Sequence, residues 1–272
     1  MEPVYRSLEI AAHALVAVQG TRLTIEGVEK IPSTGGLVVA INHTGYVDFI
    51  PAALGAYRAG RRIRYLIKSE MMDVPPVRFL INHTHTVPVD RSAGSQAYAA
   101  AVAELRAGYA LGVYPEATIS RSFELKEFKT GAVRMAQEAR VPILPTIVWG
   151  AHRQWTKGMP RAMGRAKIPV LVRFGDLMTV PPDADPVRQT AELKSVMGAM
   201  LDAVRADYGP HPAGAPWVPA AMGGSAPTPE RAHEIEAQEA QLKAELRAER
   251  RAAQANSARP WWKRLSPKKR DR

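Results

Sequence analysis

Three short apolar runs constrain this chain more than any other feature, because each stops abruptly at residues that have no place in a core. Leu37-Val38-Val39-Ala40-Ile41 runs into Asn42-His43-Thr44-Gly45-Tyr46-Val47-Asp48, Ala110-Leu111-Gly112-Val113 into Tyr114-Pro115-Glu116, and Val87-Pro88-Val89 into Asp90-Arg91. Short apolar runs rich in β-branched residues, bounded by turn formers, read as buried strands. Helical segments lie between them, at 49–57, at 94–107 (alanine-rich and closed by Gly108) and at 128–140. Strands alternating with helices predict an α/β fold whose mostly parallel or mixed central sheet is flanked by helices. In open α/β sheets, sites gather at the carboxyl ends of strands, so His43, Arg91 and Glu116 are expected on one edge if their strands run parallel.

His43 and Asp48 stand five positions apart, a rotation of about 140° on a continuous helix, so they can meet only across a turn. Gly45 permits that turn, and Asp48 is placed to cap a helix beginning at Phe49 with Pro51 in its first turn. Across such a turn Asp48 holds the imidazole in one tautomer and leaves its other nitrogen to act as a general base. Taken in isolation, the same residues also read as a loop histidine beside an ordinary helix cap.

Four segments together narrow the choice. Asn42 to Asp48 resembles the N-H-x4-D box of the glycerolipid acyltransferases, the lysophosphatidic acid acyltransferase superfamily. Val87-Pro88-Val89-Asp90-Arg91 is similar to the second box of that family, Tyr114-Pro115-Glu116-Ala117-Thr118 to its F-P-E-G-T box, and Val141-Pro142-Ile143-Leu144-Pro145 to its V-P-hydrophobic-x-P box. Phe128-Lys129-Thr130-Gly131 resembles the F-K-x-G that follows the third box. The resemblance covers residues 21 to 180. It implies an O-acyltransferase of phospholipid synthesis in which His43, oriented by Asp48, takes the proton of an acceptor hydroxyl as that oxygen attacks the thioester of acyl-CoA or acyl-carrier protein. It further implies that Arg91 holds the acceptor's phosphate and that Glu116 and Thr118 bind the acceptor's polar part or order the site; Lys68, at the end of the apolar run after Arg61, is either a further cation facing the site or a solvated strand terminus, and Arg121 is another candidate cation. Thr44 and the loop N–H groups are the candidates for the oxyanion.

Ala117 stands where the family carries glycine, and Ile119 where it carries arginine. Arg121, two residues on, is either the replacement charge or a surface residue. Lysophosphatidic acid is the expected acceptor, with another lipid acceptor or an inactive lipid-binding relative as alternatives. His83 and His85 share one strand face, so a metal-dependent hydrolase is a further alternative, but no acidic or cysteine cluster accompanies them and no metal is expected. No cofactor beyond the acyl donor is implied. The chain contains neither a G-x-S-x-G elbow nor a G-x4-G-K-[ST] loop, which argues against serine hydrolases and P-loop enzymes.

Composition bears on partners and on the ends of the chain. A net charge of +11 over 272 residues implies an anionic partner, and the absence of cysteine removes thiol nucleophiles and disulfides. Residues 1–20 are expected as an N-terminal amphipathic helix that docks on the core or lies in a membrane interface; its apolar stretch is far too short to span a bilayer. Residues 21–208 form the expected acyltransferase domain. Within it, Pro142 and Pro145 suggest that the strand over 141–149 is irregular or at a sheet edge, and 187–206 reads as a helix. The stretch 209–228, rich in proline and glycine, is expected as a linker, 229–256 as a charged helix, and 257–272 as a basic tail carrying Trp261-Trp262. Tryptophan and cations at one end suit an anionic membrane surface, on which the protein is expected as a peripheral component of the cytoplasmic face, with no specific nucleic acid partner.

Overall fold

Alternation along the strand 37–41 decides the centre of the molecule. Leu37, Val39 and Ile41 enter one apolar cluster, Val38 and Ala40 enter another, and all five are buried. A strand covered on both faces belongs inside a sheet with helices above and below it. The computed structural model, which describes residues 3–68, 87–89 and 94–257 together with Asp73 and Arg78, has that architecture.

Among the described residues seven strands form the sheet: β1 (Arg22–Glu26), β2 (Leu37–Ile41), β3 (Ile63–Lys68), β4 (Val87–Val89), β5 (Ala110–Val113), β6 (Ile143–Trp149) and β7 (Pro169–Phe174). Their order is β1-β7-β6-β2-β5-β3-β4, and every pairing is parallel except β6 with β7. The five strands β2 to β6 therefore share one direction, and β2 and β5 are neighbours whose carboxyl ends lie side by side, Ala40 opposite Val113. The helices are α1 (Pro3–Gln19), α2 (Phe49–Arg58), α3 (Gly94–Arg106), α4 (Gly131–Ala139), α5 (Pro186–Tyr208) and α6 (Pro229–Ser257). Ala52 and Ala56 of α2 cover the face of Val39 and Ile41; Leu105 of α3, Val133 of α4 and Leu193 and Met197 of α5 cover the opposite face. Asp185 caps α5, accepting from the amides of Val187 at 3.0 Å and Arg188 at 3.3 Å, with Pro186 in the first turn.

Two sequence expectations give way here. The strand 143–149 is not at an edge: β6 lies between β2 and β7 and is buried throughout. Pro145 is tolerated because the neighbouring chain bulges where its N–H would point. Ile143 exchanges both main-chain bonds with Met178, the Pro145 carbonyl accepts from Gly175 at 2.8 Å, and Asp176 and Leu177 arch between them. The stretch expected as a linker is likewise folded as far as Ala226. The chain divides into two units, 1–226 and 227–272, and Val218 and Ala226 are buried within the first. Trp217, half-buried, lies with its ring beside those of His152 at 6.1 Å and His211 at 5.5 Å.

Helix α1 docks through one side. Glu9 pairs with Arg62 at 2.8 Å, and Gln19, buried, donates to the Met163 carbonyl at 3.2 Å. Its other side leaves Ile10 63% and Val18 69% exposed. Among the described residues no helix is long and apolar enough to cross a membrane. In the second unit Thr228 precedes α6, its Oγ1 accepting the Arg231 amide at 3.3 Å, and Leu242 and Leu246 of the helix are exposed. The tail 258–272, with Trp261 and Trp262, lies outside the described residues.

Candidate active site

Asn42, the residue after β2, has a side chain that behaves as a peptide group. Its Nδ2 donates to the Val148 carbonyl at 3.1 Å and its Oδ1 accepts the Val148 amide at 2.7 Å, so β6 keeps its hydrogen bonds while the chain leaves the sheet at His43.

The loop then folds back on Asp48. Its Oδ2 accepts the amides of Thr44 at 2.8 Å and Gly45 at 2.7 Å and stands 3.3 Å from His43 Nδ1. Asp48 was expected as the cap of α2, and it does occupy that position, but its backbone is already helical (φ −55°, ψ −29°) and its side chain makes no bond to the helix. A capping carboxylate needs an extended backbone to reach the first-turn amides; here the nearer donors are the two loop amides behind it. Burial pushes the Asp48 carboxyl above its ordinary value, opposed by the His43 ring and by those amides. Gly45 is required by the tightness of the loop: a Cβ there would lie 3.0 Å from the Trp155 carbonyl oxygen and 3.1 Å from both Asp48 Oδ1 and the His152 Cα.

From β5 comes the other half. The Tyr114 ring stacks on the His43 imidazole, centroids 4.0 Å apart and planes inclined by 24°. Glu116, 3% exposed, accepts the His43 amide on Oε1 at 2.7 Å and the Lys126 amide on Oε2 at 3.1 Å. Burial raises its carboxyl to about 7 against the pull of these two donors. Ser120 donates its amide to the His43 carbonyl at 2.8 Å, so the main chain of His43 is held at both its N–H and its C=O by the segment after β5. The imidazole itself stays 19% exposed, and with Nδ1 directed at Asp48 the nitrogen left for a substrate is Nε2.

The structure thus brings His43, Asp48 and Glu116 together. Thr118 joins them through Lys126, whose Nζ donates to Thr118 Oγ1 at 2.8 Å. Ala117 takes up φ 59°, the left-handed region in which glycine is unstrained, which accounts for the glycine of the resembling box. Ile119 is buried in place of a charge, and the Arg121 guanidinium lies along Gly158, where a Cβ would come within 2.6 Å of Nη1. Lys68 ends β3, but its side chain lies outside the described residues, as do Arg91, His83 and His85. Thr44 is not placed as an oxyanion donor: its side chain is buried, and its amide and that of Gly45 are both committed to Asp48. Sequence reasoning missed Tyr114 as the ring beneath the histidine and Lys126 as the cation beside Thr118. The aromatic residue that opens the Tyr-Pro-Glu turn was the available signal for the first; the second depends on a loop path that no spacing discloses.

Comparison with known proteins converges on one family. The acyltransferase family profile matches residues 22–149. A 1-acyl-sn-glycerol-3-phosphate acyltransferase of Bacillus subtilis is 28% identical over 145 residues, 52% of this chain and 71% of that protein. A probable 1-acyl-sn-glycerol-3-phosphate acyltransferase of Mycoplasma pneumoniae is 29% identical, covering 58% of this chain and 60% of that protein, so the chain spans less than two thirds of this relative. The crystal structure of the 1-acyl-sn-glycerophosphate acyltransferase PlsC from Thermotoga maritima superposes with a TM-score of 0.63 at 22% identity, over 75% of this chain and 81% of that one, a likeness of fold. With the mixed sheet and its helices in the same arrangement, the matched stretch 22–149, just under half of the chain, is an acyltransferase domain like that of the 1-acyl-sn-glycerol-3-phosphate O-acyltransferases.

Proposed function

We propose that the protein moves a fatty acyl group from acyl-CoA or acyl-carrier protein to a hydroxyl of a lysophospholipid acceptor, lysophosphatidic acid foremost, in phospholipid synthesis. The observation that carries this reading is the buried Asp48 carboxylate set 3.3 Å from Nδ1 of a partly exposed His43. Nε2 takes the proton of the acceptor hydroxyl as its oxygen attacks the thioester carbonyl; the new C–O ester bond forms, the C–S bond breaks, and the proton passes to the departing thiolate. No acyl-enzyme is required. Tyr114 limits the tilt of the imidazole, while Glu116 orders the loop through the His43 amide. Arg91 is the cation proposed for the acceptor's phosphate, with Lys68 and Arg121 as further candidates. The exposed Ile10 and Val18 of α1, the basic tail with its two tryptophans and the charge of +11 favour work at an anionic membrane surface, as a peripheral protein of the cytoplasmic face.

The test is thiol release from acyl-CoA and acyl-carrier-protein donors with a panel of lysophospholipids, wild type against His43→Ala. Release that depends on an acceptor and falls about 10²–10⁴-fold in the variant is the expected result. Acceptor-dependent release that survives in His43→Ala would remove His43 as the base.

A further inference from the structure

The loop that carries His43 and Asp48 rests on a part of the chain beyond the residues that match the acyltransferase family. After β6, Gly150 (φ 94°) turns the chain into a short 3₁₀ helix, Ala151–Arg153. From the residues that follow, the Trp155 carbonyl accepts the Tyr46 amide at 2.9 Å and Thr156 Oγ1 donates to the Thr44 carbonyl at 2.6 Å. The His152 backbone is the wall that forbids a side chain at Gly45. On its other side the His152 ring packs against Phe123, centroids 4.5 Å apart, in the segment that carries Glu116. One turn therefore underlies both halves of the site.

What fixes that turn comes from 209–226. His152 is fully buried, and its Nε2 meets the Trp217 carbonyl at 3.1 Å; a carbonyl only accepts, so Nε2 carries the proton. The neighbouring Arg153 lays its guanidinium over the Trp217 ring at 4.1 Å and donates to the Tyr208 hydroxyl at 2.9 Å. The segment behind Trp217 is itself closed: Gly214 donates to the Gly223 carbonyl at 2.8 Å and Ser225 to the Ala215 carbonyl at 3.0 Å. A Cβ on Gly224 would stand 1.9 Å from the Val218 carbonyl oxygen, so this closure is sterically locked.

We propose that Trp217 and His152 are positioning residues for the acyl transfer: residues 209–226 clamp the 151–156 turn, and the turn sets Thr44 to Tyr46 and thereby the approach of Asp48 to His43. The catalytic half of this proposal rests on the reading of His43 as general base; the mechanical half does not. Loosening the clamp acts first on the alignment of the dyad, whose loop is bonded directly to the turn, so it lowers kcat more than it raises KM.

The experiment uses the full chain with Trp217→Ala, Trp217→Phe, His152→Leu and His152→Gln, and with Met197→Ala, a buried change on α5, as a control matched for lost stability. The first readout needs no substrate: hydrogen exchange of residues 42–48 relative to residues 37–41. The ratio is expected to rise about tenfold in Trp217→Ala and His152→Leu, to return toward wild type with Phe and with Gln, whose amide can still donate to the Trp217 carbonyl, and to stay unchanged in Met197→Ala. In the second readout, acyl transfer, kcat falls about tenfold in the same two variants with both KM values within about twofold, and recovers in the conservative pair. A ratio that does not move, or that moves equally in the control, overturns the clamp. Should His152→Leu not fold, the Trp217 pair decides alone. If wild type transfers no acyl group to any acceptor, the functional reading fails while the exchange ratio still judges the clamp.

Discussion

Asp48, in the loop after β2, gathers two backbone amides and faces an imidazole with a single oxygen, whereas Glu116, in the loop after β5, gives one oxygen to each of two amides from separate segments. Both carboxylates are buried and both are pushed up by burial. The difference lies in what each one organises. Asp48 binds donors from its own loop, so its energy goes into the shape of a turn and the orientation of one ring. Glu116 binds donors 73 and 10 residues away along the chain, so it staples the β2 loop to the β5 loop. The first is expected to govern rate and the second stability.

The sharpest way to break that contrast is Asp48→Asn. The amide oxygen can still accept from Thr44 and Gly45, so the loop survives, but the charge facing His43 is gone. A loss of about 10²–10⁴ in kcat is expected from thiol-release kinetics, with little change in Tm. Gly45→Ala probes the same loop by displacement: its Cβ forces the Trp155 carbonyl or the Asp48 carboxylate aside, and about 10²-fold in kcat should go with it.

Glu116→Gln tests the other side. A side-chain amide has one acceptor oxygen, so either the His43 or the Lys126 amide loses its partner and meets an NH₂ group, at a cost of about 1–3 kcal/mol in denaturant unfolding. The penalty is expected to shrink as pH rises. Folded Glu116 keeps its proton up to about 7, against an ordinary value of 4.5, so its contribution to wild-type stability is fully present below 4.5 and declines as pH climbs to 7. That decline is worth about 3 kcal/mol, and the glutamine variant lacks it. If Glu116→Gln abolishes turnover at full stability while Asp48→Asn remains active, the roles assigned to the two carboxylates are reversed. The smallest effect sharpens the same side: Ala117→Gly relieves the left-handed backbone beside Glu116 and should stabilise by about 0.5–1 kcal/mol with unchanged kinetics.

Much of this was legible because it is written in short-range pattern. The apolar run 37–41 with its glycine-bearing exit, the alternation of strands with helices and the spacing of four boxes led to the α/β fold and to His43, Asp48 and Glu116 as candidates. What escaped depends on main-chain donors and on distant chain. Asp48 reads as a helix cap until the amides of Thr44 and Gly45 are seen to point at it. Pro145 reads as an edge marker until the bulge over Asp176 and Leu177 is seen opposite it. The 209–226 stretch reads as a linker by its prolines and glycines, because nothing in its own composition reveals that Trp217 meets Arg153 and His152.

Asn42 carries a consequence of its own. By offering a donor and an acceptor at the spacing of a peptide bond, its side chain makes the sheet indifferent to where the main chain goes next. Scaffold and working loop become separable: insertions or sequence drift after position 42 do not propagate into β6, whereas replacing the amide itself would. Aspartate there has no donor, and serine is too short to span both partners. A protein engineer grafting a different reaction onto this sheet would therefore keep residue 42 and rebuild the loop beyond it, up to α2, together with the 151–156 turn and the segment after β5 that hold it.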